Sequence, residues 1–176
     1  MDEEDSRDLR RRTPWLARWL KAGLLIVVAS TIGCDQVSKR VAALQLQGVP
    51  SRSFLGDLIR LQYAENAGAF LSLGADLPLW VRTAFFTVAT GAALALCLVA
   101  ISRSEWVGLS QVGLALIVGG GASNLIDRVG HGVVVDFLNV GIGPLRTGIF
   151  NVADMAIMLG VTLLVVGWFR GGHGVR

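Results

Sequence analysis

Three aspartates in the second half of the chain, Asp127, Asp136 and Asp154, lie within or beside strongly apolar stretches with little polar material between them. An ionised carboxylate at membrane depth costs on the order of several kcal/mol, so each needs an explanation. Two carboxylates brought together in a poorly hydrated site cannot both ionise easily. One keeps a proton, and the pair becomes a matched acid and base. That is the chemistry needed to activate water against an amide.

The polar residues of the apolar stretches fall into five short clusters. Asp35 and Lys39 are four apart, so on a helix they share a face. An ion pair anchoring the outer end of a span is preferred there over direct chemistry. Asn66 sits beside Ala67, Gly68, Ala69 and Phe70, where small residues let a backbone or a substrate approach closely. A hydrogen bond to an extended peptide and a simple turn are equally good readings of that cluster. The run Gly119 to Arg128 combines small residues, which permit tight helix packing in lipid, with Asn124, Asp127 and Arg128. Asn124 and Asp127 would share a face, and Arg128 could hold a carboxylate through a bidentate contact. An interfacial helix end with a surface ion pair is the plainer alternative. Asp136 follows a β-branched run and precedes Phe137, in a strand or loop that would lie near the membrane surface. Asn151 and Asp154 open an apolar segment with capping-box spacing, and capping alone would explain them. The combination of all five shifts the balance toward catalysis.

Other hydrolytic designs match less well. No His-Glu-x-x-His motif occurs, and the histidines are His131 and His173. Nothing specific marks a pairing of Ser123 with His131. Ser38 and Lys39 are neighbours, so on a helix their side chains diverge.

Composition dictates what must position these groups. Of the 176 residues, 53% are hydrophobic and 16% charged, against roughly 25% charged in ordinary soluble chains. This indicates a membrane protein and excludes disorder over most of the length. The net charge of +3 does not indicate nucleic acid, because the basic residues gather at the amino terminus and near the ends of apolar segments. Four apolar segments, about 22–46, 78–101, 107–126 and 152–169, are each near the roughly 20 residues that cross a bilayer as a helix. The first contains Ile32, Gly33 and Cys34 after a basic region, which resembles a lipoprotein signal, but three more spans follow and it reads as a retained helix. Cys34 and Cys97 read as small buried hydrophobes, too few for a metal site or disulfide framework.

The expected architecture is an all-α polytopic membrane protein of four transmembrane helices. A cytoplasmic tail spans 1–21, a membrane domain 22–170 and a second cytoplasmic tail 171–176. The basic amino-terminal run favours cytoplasmic termini, with 47–77 and 129–150 outside. Partial alternation from Phe54 to Tyr63 predicts short strands in the first outer segment.

The five clusters, in this order across four spans, resemble the lipoprotein signal peptidase (signal peptidase II) family over residues 22–169. The shared residues are Asp35 and Lys39; Asn66, Gly68, Ala69 and Phe70; Asn124, Asp127 and Arg128; Val134, Asp136 and Phe137; and Phe150, Asn151, Ala153 and Asp154. Ser123 stands where the family has glycine, so a hydroxymethyl group must be accommodated. The resemblance implies an aspartic endopeptidase of the bacterial inner membrane with Asp136 and Asp154 as its dyad. It implies that Asp35, Lys39, Asn66, Gly68, Asn124, Asp127, Arg128 and Asn151 support the site or contact substrate. It further implies a small extracytoplasmic β-rich cradle, prolipoprotein substrates carrying diacylglyceryl-cysteine, contact with membrane lipids, a monomer, and no metal or cofactor. The competing readings are a small proton-coupled transporter, which uses buried carboxylates equally well, and a structural membrane subunit. The transporter is disfavoured by the few spans and the lack of a repeat.

Overall fold

A computed structural model describes residues 14–68, 78–103 and 108–171. The expected extreme termini, the Ala69 and Phe70 positions and His173 lie outside the described residues.

Four helices are long and apolar enough to cross a membrane. They are α1 (Pro14–Leu46), α2 (Leu79–Arg103), α3 (Leu109–His131) and α4 (Val152–Gly171). Two boundaries differ from the sequence expectation. Helix α1 begins at Pro14 rather than near 22, since proline suits a first turn whose N–H groups lack partners anyway and the basic residues after it favour helix. Helix α3 continues to His131 rather than stopping near 126, so Asp127 and Arg128 occupy its last turns. Gly132 ends it: its φ of 77° is left-handed, and its N–H donates to the Arg128 carbonyl at 3.0 Å.

The outward faces are apolar. Leu25, Leu44, Trp80, Leu96 and Met158 are each more than two-thirds exposed, as expected of surfaces that meet lipid. Helix α3 is the centre of the bundle and packs on α1, α2 and α4. Lipid supplies no hydrophobic drive for helices to associate, so close approach depends on small residues. A Cβ at Gly119 would come within 2.8 Å of the Thr31 side chain of α1. One at Gly120 would collide with the Ala153 carbonyl oxygen at the start of α4. These two glycines bring α1 and α4 against α3 beside the polar residues that follow on α3.

A four-stranded antiparallel sheet caps the end of the bundle where α1 and α3 finish and α2 and α4 begin. Its order is β1 (Arg52–Phe54), β2 (Ile59–Asn66), β3 (Val134–Ile142) and β4 (Leu145–Arg146). Short strands were expected in the first outer segment and a strand or loop at Asp136 in the second; the second supplies half of the strands. Continuous β-branched residues before Asp136 favour extended chain. Between β1 and β2, Leu55 and Asp57 take positive φ, and Asp57 is held by Arg60, whose guanidinium keeps that carboxyl well below the usual carboxylate range. Arg146 donates to the Asp57 carbonyl at 2.8 Å, tying the β3–β4 turn to the β1–β2 turn.

Register in the sheet decides where the site forms. Strand β2 pairs β3 with Ala64 opposite Asp136 and Asn66 opposite Val134, after an irregularity between Leu61 and Ala64. On the other side of β3, Phe150 and Leu138 exchange backbone hydrogen bonds of 2.8 Å. That bridge pins the residue before Asn151 to a strand position two residues from Asp136. A small core of Ala42, Leu46 and Phe137, with Leu61, Tyr63, Leu138 and Val152 against it, seats the sheet on α1 and α4.

Candidate active site

The start of α4 is built as a reciprocal cap. The Asn151 Oδ1 accepts the Asp154 N–H at 3.0 Å, and Asp154 Oδ2 accepts the Asn151 N–H at 3.1 Å. The spacing alone predicted this arrangement. The cap does not exhaust either residue. Asn151 is fully buried, and its Nδ2 donates to Asp136 Oδ1 at 2.6 Å. Asp154 Oδ1 accepts from Asn124 Nδ2 at 3.0 Å. One asparagine therefore touches both aspartates.

Asp136 is 2% exposed. Besides Asn151 it accepts a hydrogen bond from Asn66 Nδ2 at 2.9 Å, and Asn66 Oδ1 in turn accepts the Gly68 N–H at 2.8 Å. Gly68 has a φ of 96° and its α-carbon lies against the Phe86 ring of α2, so a side chain there is doubly disfavoured. Burial pushes the Asp136 carboxyl up to about 6, against the pull of the Asn66 hydrogen bond, and the nearby charge of Asp154 pushes in the same direction.

Beneath this pair lies a second polar layer between α1 and α3. Lys39 pairs with Asp35 at 2.6 Å, as its helical spacing predicts, and also with Asp127 at 2.7 Å. Its Nζ donates to Asn124 Oδ1 at 2.8 Å. Asp35 is fully buried; its Oδ1 accepts the Ala153 N–H at 2.8 Å, which ties α1 to the first turn of α4. The Ser123 hydroxyl, in place of the family's glycine, donates to Asp35 Oδ2 at 2.8 Å, so the extra group is absorbed into the network. Ser123 has that role and no histidine partner.

Arg128 departs from expectation. The bidentate carboxylate contact it could have made does not form among the described residues, where Lys39 takes Asp127; its guanidinium makes a long contact of 3.4 Å to the Asn124 carbonyl, while its charge acts on Asp154, Asp136 and Asp127. Gln36 is the residue that sequence reasoning missed. Its Nε2 donates to Asp127 Oδ1 at 2.8 Å and to Ser123 Oγ at 3.0 Å. Its position beside Asp35 was a signal, but a neutral amide near a span end had no distinguishing mark.

The sequence-predicted residues Asp35, Lys39, Asn66, Asn124, Asp127, Asp136, Asn151 and Asp154 thus form one continuous network, and Gly68 and Arg128 border it. Asp136, buried and with a raised pKa, and the half-buried Asp154 are held by donors of the same asparagine, an arrangement chemically suited to acid–base work.

Known proteins resemble this chain in sequence and fold. Residues 27–170 match the family model described as Signal peptidase (SPase) II. Proteins called lipoprotein signal peptidase from Burkholderia cenocepacia and Burkholderia multivorans are each 34% identical over 161 residues, covering 92% of this chain and 93% of theirs. Two solved bacterial membrane enzymes, determined by the in meso method, superpose with TM-scores of 0.76 and 0.74. They are 23% and 25% identical, with 88% and 85% of this chain covered and 92% and 94% of theirs. The transporter reading finds no support among these relatives. With the matched region spanning all four helices and the sheet, the chain belongs to the signal peptidase II family and is a membrane peptidase.

Proposed function

We propose that this chain removes signal peptides from diacylglyceryl-modified prolipoproteins by aspartic catalysis, with Asp136 and Asp154 as the pair that activates water. The observation that carries the mechanism is Asn151: its Nδ2 donates to Asp136 at 2.6 Å and its backbone N–H to Asp154 at 3.1 Å, so both carboxylates are fixed to one residue. Asp136, whose pKa is raised, keeps the shared proton and polarises the scissile carbonyl. Asp154 takes a proton from the attacking water. As the tetrahedral intermediate collapses, a proton passes to the departing amine of the modified cysteine, and the signal peptide leaves with a carboxyl terminus.

Asn66 and Arg128 border the pair on the sheet side and the helix side and are placed to contact the peptide. The substrate's acyl chains lie in the bilayer beside the apolar helix faces. This anchors the scissile bond at a fixed depth, a positioning effect that an unlipidated peptide lacks. Purified protein should therefore release signal peptide from a lipid-modified precursor at least about 100-fold faster than from the unmodified one. Equal rates on both would contradict lipid-dependent positioning, and no cleavage of either would remove the peptidase reading.

The proposed location is the inner membrane, with both termini cytoplasmic and the sheet and carboxylates on the outer side. The basic residues before α1 support this. Reporter fusions after Gly74 and after Arg170 should report opposite sides, and the same side for both would refute the four-span topology.

A further inference from the structure

Lys39 is 4% exposed; its ammonium forms ion pairs with Asp35 Oδ2 at 2.6 Å and Asp127 Oδ2 at 2.7 Å and donates a hydrogen bond to Asn124 Oδ1 at 2.8 Å. Two carboxylates already balance the charge. The hydrogen bond goes to a neutral amide and determines which way the amide points. Asn124 is 6% exposed, and its other end, Nδ2, faces Asp154 Oδ1 at 3.0 Å. A flip of the carboxamide would set NH2 against the ammonium and its oxygen against the Asp154 carboxylate, two repulsive contacts in place of two hydrogen bonds. Asn151 Nδ2, 3.3 Å from Asn124 Oδ1, opposes the flip in the same sense. A hydrocarbon at position 39 would remove the strongest of these constraints without removing a hydrogen bond to either member of the pair, although the ammonium's charge also acts on Asp136.

We infer that Lys39 is a positioning residue of the reaction: through the Asn124 carboxamide it keeps an N–H donor aimed at Asp154, and so holds that carboxylate in the orientation from which it meets water. The inference rests on the reading of Asp154 as a catalytic carboxylate. It separates two jobs that the same side chain does. The pairs with Asp35 and Asp127 hold α1 to α3; the bond to Asn124 aims a donor.

The test is a double-mutant cycle in the full-length enzyme with a lipid-modified precursor, reading kcat and KM separately. Lys39→Met should lower kcat by about 10- to 100-fold with KM within about twofold of wild type, as expected of lost orientation and retained binding. Asn124→Leu, which leaves Lys39 paired with both carboxylates, should lower kcat to a similar extent. The double variant Lys39→Met/Asn124→Leu should be no slower than Asn124→Leu within about twofold, because the ammonium has nothing left to aim. If Lys39 only clamps the helices, its loss lowers kcat by the same factor in both backgrounds, and the inference is overturned. An unchanged kcat, or a change confined to KM, overturns it equally. Should Lys39→Met fail to fold because Asp35 and Asp127 are left unpaired, Lys39→Met/Asp127→Asn removes the ammonium with one fewer buried charge and takes its place in the cycle, with Asp127→Asn as the reference. Asp136→Asn and Asp154→Asn are assayed alongside. If either stays active, the dyad reading fails; if both are inactive and the cycle is additive, only the role of Lys39 fails.

Discussion

Asp136→Asn should yield a folded membrane protein that releases no signal peptide. The magnitudes of the competing effects favour folding. In wild type the Asp136 carboxyl is pushed up to about 6 by burial, so above that pH the native state carries a buried charge it would rather not have. A carboxyl whose folded pKa is raised destabilises the native state once it ionises. The cost is absent below about 4, grows between about 4 and 6, and amounts to about 3 kcal/mol above that range. Asparagine removes this cost. It also leaves one acceptor where two amides donated, losing a hydrogen bond worth about 1 kcal/mol. The first term is the larger, so at pH 7 the mutant should be at least as stable as wild type, gaining on it as pH rises from 4 to 6. Activity has no such compensation, because an amide cannot hold and return the proton. The same shift predicts that kcat/KM of the wild type declines as pH rises past about 6, where the free enzyme loses the Asp136 proton. A profile that rises through pH 6 to 8 would assign the proton-holding role elsewhere.

The second large effect is expected at Asn151. Its Oδ1 caps α4 while its Nδ2 holds Asp136 at 2.6 Å, and serine can do the first job but not the second. Asn151→Ser should cost no more than about 1 kcal/mol of stability, since serine and asparagine cap comparably. Its kcat should fall by about 100-fold or more, the usual scale for losing a preorganised donor at a reacting group. A matched Asn151→Ala, which lacks both functions, should be equally slow but less stable. If Asn151→Ser retains wild-type kcat, the side chain is only a cap, and the link between the two aspartates is incidental.

The sequence displayed the chemistry of this site more clearly than its geometry. Asp35 and Lys39 announced their pair by helical spacing, and Asn151 and Asp154 their cap, because both are local arrangements of a few residues. Four spans were legible because hydrocarbon thickness imposes a length and a composition. What could not be read is non-local. Asp127 reaches across to Lys39 rather than to its neighbour Arg128, a choice made by the packing of α1 on α3 at Gly119. Asn66 was left open between a turn and a peptide contact. The sheet register, with Asn66 opposite Val134, is what brings its amide to Asp136. In the second outer segment the reading stayed open between a strand and a loop at Asp136, and the structure makes it strand β3. Ser123 looked like a departure that crowds a helix contact, and it is instead a donor to a buried carboxylate.

The most direct test is Asp154→Asn, because capping and catalysis predict opposite outcomes there. The capping interaction needs an acceptor for the Asn151 N–H, which an asparagine carbonyl oxygen still offers, so helix α4 should survive with a loss of at most about 1 kcal/mol. Purified Asp154→Asn would be compared with wild type in thermal unfolding and in cleavage of a diacylglyceryl-modified precursor, followed by mass spectrometry of the released signal peptide. An aspartic dyad predicts a melting temperature near wild type and no detectable signal peptide. A well-folded Asp154→Asn enzyme that cleaves at a rate near wild type would contradict the dyad and return Asp154 to the role of a helix cap.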